Sequence, residues 1–196
     1  MNEKTIICLV RHGRTEWNSR GLIQGQTDNS LDDIGIEQAQ NAAKLLLEID
    51  PSWDVIISSP LKRAYQTGEI IAKALGYKQD IITNRDFRER EFGVLEGQKL
   101  TKEIYEVIFK EDSDGLETLK QLQERSVNAC LELGRKYPGK RILVTTHSQF
   151  IKGVLSYLNE SFIFTQLLKN SSLNYFEVEN NNIKLLKFNI TEKMVD

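Results

Sequence analysis

The sequence predicts an α/β protein, a sheet packed between helices, and three observations carry that prediction. Short apolar runs alternate along the chain with stretches of helical period. Two of these runs, Ile6-Ile7-Cys8-Leu9-Val10 and Ile142-Leu143-Val144-Thr145-Thr146, are rich in β-branched residues and lack polar alternation, as parallel strands covered on both faces do. The length of 196 residues, 40% of them apolar, suffices for one α/β domain with a substantial core.

The elements follow in order. After the first strand comes a polar loop through Gly21 and Gly25. A helix then starts near Asp32 or Asp33, places Ile36, Ala39, Ala43, Leu46 and Leu47 on one face, and ends at Pro51. Residues 53–57 form the second strand. Ser59-Pro60 predicts a helix start, with Ser as N-cap and Pro at the first helical position. That helix carries Leu61, Ala64, Gly68, Ile71, Ala72 and Leu75 on one stripe, and Gly76 closes it. A short strand at 80–83 leads into a charged loop from Arg85 to Gly97. Residues 99–110 predict a helix lying over another part of the molecule, and 112–115 a break. Leu119, Leu122, Ala129 and Leu133 mark a longer helix that Pro138-Gly139 terminates. The strand ending at His147 is followed by a helix with Ile151, Val154, Leu155 and Leu158. Strands at 173–178 and 183–190, joined through Asn180-Asn181-Asn182, form a hairpin. With no repeat and no Pro/Gly/Ser linker, the expectation is a single domain, 1–196.

Composition narrows the function. A net charge of -2 and no basic block argue against nucleic acid as a partner. The two cysteines, Cys8 in a strand and Cys130 in a helix, read as small buried hydrophobes. There is no CxxC and no Cys/His cluster, so a structural zinc site is not expected. The first apolar run is cut after five residues by Arg11-His12, too short for a signal peptide or a membrane span. A cytoplasmic, reducing setting without a membrane partner is the expectation.

The chain has only two histidines, His12 and His147, and both end a buried strand. In open α/β sheets that is where ligands bind. Arg11 offers a planar fork for phosphate oxygens, and Gly13 allows a tight turn or close approach to a ligand. His12 can act as a nucleophile if neutral, its other ring nitrogen donating to a carbonyl. Lys62 and Arg63 fall in a first helical turn, where cations oppose the helix dipole by about 0.3–1 kcal/mol each. A bound anion would offset that; Lys62 is assigned to solvent and Arg63 to function. In Arg88-Glu89-Arg90-Glu91, flanked by Phe87 and Phe92, a carboxylate pinned on apolar surface would gain a raised pKa suited to general acid work. Composition does not choose between Glu89 and Glu91. His147 sits at a strand–helix junction, so an anion there would meet both its ring and free backbone N–H groups. Two histidines, two arginines and a carboxylate, with no metal-ligand set, suggest phosphoryl transfer through a phosphohistidine.

These pieces, in this order, resemble the histidine phosphatase superfamily, the phosphoglycerate mutase-like family. The segments LVRHGRTEWN, LDDIGIEQA, SSPLKRAYQT, FREREFGVLEG and VTTHSQ carry the resemblance, which spans essentially the whole chain. It implies a three-layer αβα sandwich with a mostly parallel sheet. It implies His12 as nucleophile, Glu89 as proton donor, and Arg11, Arg63 and His147 as ligands of the phosphoryl oxygens. Asn18 and Gln24 match residues that help hold the phosphate, with Gly25 and Ser148 beside them. Ser148 departs from the glycine of many relatives, which bears on substrate rather than reaction type. Family mutases shield a bisphosphate with a sizeable insertion after the Glu loop, whereas here only a short lid, 98–114, is available. The expectation is a small-molecule phosphomonoesterase needing neither metal nor cofactor and acting on a phosphorylated metabolite, as monomer or homodimer. Phosphoglycerate mutase is the alternative, and a non-catalytic phospholigand-binding module a third. Lys99, Lys102 and Lys110 are assigned to a solvated face.

Overall fold

The computed structural model describes residues 3–159, 161–162 and 164–191. Strand β1 (Thr5–Arg11) leads to the short helix α1 (Glu16–Arg20) and then to α2 (Asp33–Ile49). β2 (Val55–Ser58), α3 (Lys62–Ala74) and the two-residue β3 (Ile82–Thr83) follow. After the charged loop come α4 (Lys102–Lys110), α5 (Leu119–Lys136), β4 (Arg141–Thr146) and α6 (Ser148–Leu158). The hairpin β5 (Leu173–Glu179) and β6 (Asn182–Ile190) ends the fold, with Asn180 and Asn181 both at positive φ, the conformation a tight hairpin turn needs.

The six strands form one sheet in the order β3-β2-β4-β1-β5-β6. The first four are mutually parallel, and the hairpin extends the sheet antiparallel to β1. The unalternating strand sequences now have their cause. Ile7 and Leu9 of β1 face a layer built by α5 and α6, including Val127, Cys130, Phe150 and Ile151. Cys8 and Val10 face the opposite layer of α2 and α3, including Ala43, Leu46 and Ile71. Each fully buried Ile or Leu contributes roughly 1.5–3 kcal/mol. That sum, rather than helix propensity, holds the two layers on the sheet.

Two local expectations need correction. Ser59-Pro60 does not open α3: the helix begins at Lys62, with Leu61 as an N-cap whose side chain makes no capping bond. The cap comes instead from Asp28, whose Oδ1 accepts from the Lys62 backbone N–H at 2.7 Å. The polar loop after β1 contains α1, closed by a capping box between Thr15 and Asn18. Gly13 approaches another backbone closely: a Cβ there would lie 2.2 Å from Gly35 O.

Candidate active site

Strand register assembles the site. Arg11 of β1 pairs with Thr146 of β4, and Ser58 of β2 with Thr145. The ladder runs on past the strand ends, with His12 N–H donating to Thr146 O and Ser59 N–H to Thr145 O, each at 2.9 Å. His12, Ser59 and His147 therefore emerge side by side at the carboxyl edge of the sheet. The two imidazole rings lie 5.2 Å apart between centroids, tilted by 59°.

His12 is buried, and its Nδ1 lies 2.7 Å from Gly13 O. A carbonyl only accepts, so Nδ1 carries the proton and Nε2 keeps its lone pair. Burial, reinforced by Arg63 and Arg11, holds this imidazole well below the usual 6.5 and hence neutral. Burial acts the same way on His147, aided by Arg63. His147 Nε2 lies 2.8 Å from Ser59 Oγ, while its Nδ1 is buried without a protein partner.

Arg63 is fully buried and is fixed by two carbonyls, Nη1 donating to Thr27 O and Nη2 to Gly25 O at 2.7 Å each. These carbonyls offset the cation's position at the start of α3, where the sequence asked for an anion. Arg11 donates through Nη1 to Leu168 O. Burial lowers each guanidinium to about 10, so both remain cationic at neutral pH.

Glu89 is buried whereas Glu91 is exposed, a choice that rests on the side chain's direction and that composition could not make. Burial is the main force raising the Glu89 carboxyl above its usual range, against Arg63 and Arg11, which lower it. Its Oε1 accepts backbone N–H groups from Arg90 at 2.9 Å and Gln149 at 3.0 Å. One of the N–H groups at the start of α6, that of Gln149, is thus taken by this side chain. Oε2 is left for proton transfer.

The remaining expected residues gather round one cleft of about 280 Å³. Asn18 and Gln24 line it; Asn18 Oδ1 is held by Thr15 N–H and Gln24 Oε1 by Thr15 Oγ, which leaves their NH₂ groups as free donors. Gly25 and Ser148 also line it. Leu22, Ile23, Phe92, Leu100, Tyr105 and Ile108 add an apolar wall to the cleft. Residues Ile104, Val107 and Ile108 of α4 pack on Ile23, Phe92 and Leu95, which seats this helix over the cleft. Lys99, Lys102 and Lys110 are exposed and do not line it. Among the described residues no three His, Cys, Asp or Glu side chains converge as a metal site. None of the described helices is long and apolar enough to cross a membrane.

Sequence reasoning missed the supports of this site. Ser59, which the sequence presents as a helix cap, meets His147 Nε2 instead. Thr67 Oγ accepts the Gly13 N–H at 3.1 Å, and Glu96 accepts the N–H groups of Gln26 and Thr27 at 2.8 Å each. Arg90, buried, donates to Glu117 O and stacks on Phe92, fixing the Glu89 loop. Lys152 is buried with Nζ on Phe164 O at 2.6 Å, and burial lowers it to about 8. Of these, only the placement of Thr67 one turn after Arg63 carried a sequence signal.

Comparison with known proteins shows the family. The family model for the histidine phosphatase superfamily (branch 1) matches residues 7–191. The chain belongs to that superfamily. It is 32% identical over 195 residues to an uncharacterized phosphatase, PhoE, of Bacillus subtilis, covering 97% of both chains. It is 34% identical over 184 residues to a metal-independent phosphoserine phosphatase of Arabidopsis thaliana, covering 88% of this chain and 76% of the relative. A phosphoserine phosphatase variant of Entamoeba histolytica, solved with phosphoserine, superposes with a TM-score of 0.82 at 29% identity, covering 97% of this chain and all 100% of the other. Phosphoglycerate mutases also occur among the relatives.

Proposed function

We propose that this chain hydrolyses small phosphomonoesters with apolar leaving groups through a phosphohistidine, without metal or cofactor. Phosphatase activity as such rests on the superfamily and on relatives that bear that name. In the proposed reaction His12 Nε2 attacks phosphorus in line, and the bond to the leaving oxygen breaks. Glu89 gives its proton to that oxygen. Water then attacks the phosphohistidine, Glu89 takes up the water's proton, and the N–P bond breaks to release phosphate and neutral His12. Arg11, Arg63 and the Nδ1–H of His147 meet charge on the equatorial oxygens, with Asn18 and Gln24 as neutral donors. Removing one such preorganised donor typically costs about 10²–10³ in rate. The fixed guanidinium charges supply what a metal ion supplies elsewhere.

The apolar wall carries the choice of hydrolysis over mutase chemistry. A mutase holds a bisphosphate while it reorients, so its second phosphoryl group needs cations. Arg11 and Arg63 both belong to the first phosphoryl position, and Leu22, Ile23, Phe92, Leu100, Tyr105 and Ile108 offer no charge for another. The ammonium and carboxylate of phosphoserine would find no charged partner on that wall either. Ser148 lines the same cleft. A cytoplasmic setting accords with the two free buried cysteines.

The test follows isomer and free phosphate separately. With 3-phosphoglycerate and catalytic 2,3-bisphosphoglycerate, release of phosphate without 2-phosphoglycerate supports the reading, and isomerisation overturns it. Activity should survive EDTA, and kcat/KM should be higher for aryl and alkyl phosphates than for phosphoserine.

A further inference from the structure

A second cleft, of about 550 Å³, lies on the other side of Arg11 from the catalytic one. Arg11 lines both. Beside the apolar Ala42, Leu167 and Leu168, the polar lining of the second cleft comes from Lys169, Asn170 and Ser171 in the segment before β5, from Gln38 and Asn41 of α2, and from Thr191. No Asp or Glu lines it. Gln38 Oε1 is already occupied by the Arg14 N–H at 2.8 Å, so the amide presents its NH₂ as the free end. Ser171 is 5% exposed, and its Oγ, like Arg11 Nε, is buried in the wall without a protein partner. Two cations, amide donors and an unpaired hydroxyl with no opposing carboxylate form an electropositive cavity of a size that takes a small metabolite.

We infer that this cleft binds a small carboxylate or phosphate anion and that the anion weakens substrate binding through Arg11. Residues 168–171 tie the two sites together. Leu168 O accepts from Arg11, while Asn170 Nδ2 and the Ser171 N–H both donate to His12 O, at 3.0 and 3.3 Å. An anion on Lys169 and Ser171 thus touches the segment that backs both catalytic groups. It also draws on the guanidinium charge that a substrate phosphoryl group needs. Two anions sharing one guanidinium oppose each other, and the coupling is reciprocal. The binding site stands on its own, whereas the coupling rests on Arg11 holding the substrate phosphate as proposed above.

The experiment has two arms. Crystals of the protein with orthovanadate in the catalytic cleft are soaked in selenate, and anomalous density is sought between Lys169 and Gln38. Density there supports the site even if the protein proves to be no phosphatase; density absent from it overturns the site. In the second arm citrate is titrated against p-nitrophenyl phosphate hydrolysis. The apparent KM should rise about fivefold, at the lower end of usual couplings, and then reach a plateau. Lys169→Gln with Asn41→Leu, neutral changes that put no negative charge beside Arg11, should remove the effect and leave kcat/KM without citrate within about twofold. A KM that climbs without limit in parent and variant alike places citrate in the catalytic cleft only, and overturns the coupling, as does a KM unmoved by citrate.

Discussion

Ser59 Oγ and His147 Nε2 lie 2.8 Å apart, and the same hydroxyl accepts the Leu61 N–H at 3.3 Å. In the proposed reaction Ser59 turns its own proton to Nε2. That direction holds His147 as the Nδ1–H tautomer, the donor that the proposed reaction assigns to a phosphoryl oxygen. Ser59→Ala should lower kcat/KM about tenfold, equivalent to about 1.4 kcal/mol, with little change in the melting temperature. Ser59→Thr, which keeps the hydroxyl, should restore most of it. Equal activity in all three proteins would show that Ser59 has no positioning role.

Gly13 and Gly35 bring two backbones together where no Cβ fits. A methyl at Gly13 would sit 2.2 Å from Gly35 O, and one at Gly35 would sit 2.0 Å from Arg14 O. Neither obstacle is a flexible side chain. Gly13→Ala should destabilise the protein by about 3 kcal/mol or more, at the upper end of single substitutions. Urea unfolding at equilibrium measures it, and a loss below about 1 kcal/mol would mean that the loop yields.

Glu89→Gln keeps an acceptor for the Arg90 and Gln149 N–H groups but removes the transferable proton. Turnover of alkyl phosphates should fall about 10²–10⁴-fold, the usual worth of a general acid. An aryl phosphate with a good leaving group should lose far less in the first step. Burst kinetics with p-nitrophenyl phosphate separate that step from hydrolysis of the intermediate. Equal losses for both substrates would remove Glu89 from the acid role.

Stability should fall on acidification. His12 and His147 are held well below 6.5, so below that pH the unfolded chain binds protons the folded one refuses. Each can contribute at most about 1.4 kcal/mol per pH unit. Glu89, raised above 4.5, works the other way: the folded state keeps a proton that the unfolded chain has lost, and this stabilisation fades as pH rises. Two groups outweigh one, so the urea midpoint should drop between pH 7 and 5.5. In a His12→Gln, His147→Gln variant the drop should shrink; an undiminished drop would place its origin elsewhere.

The sheet and the site residues were legible because they rest on local chemistry. Two-sided burial forces the unbroken runs at Ile6–Val10 and Ile142–Thr146, and a histidine at each end announces the strand edge. What stayed hidden depends on distant partners. Asp28 reaches across sequence to cap α3, so Ser59 is released to serve His147. Glu89 and Glu91 are equivalent by composition and differ only in which face of the loop Phe87 and Phe92 bury. The α1 helix escaped notice because its capping box ends on Asn18 rather than on Glu or Gln. The second cleft behind Arg11 combines α2 with the segment before β5, which no local pattern links.

The central claim is that His12 Nε2 carries the phosphoryl group. Substrate labelled with ³²P, quenched rapidly without acid and digested under alkaline conditions, should yield label on the peptide containing His12. The label should be lost in acid, as phosphohistidine is, and absent in His12→Ala, which should not turn over. Label on another residue, or turnover persisting in His12→Ala, would contradict the account.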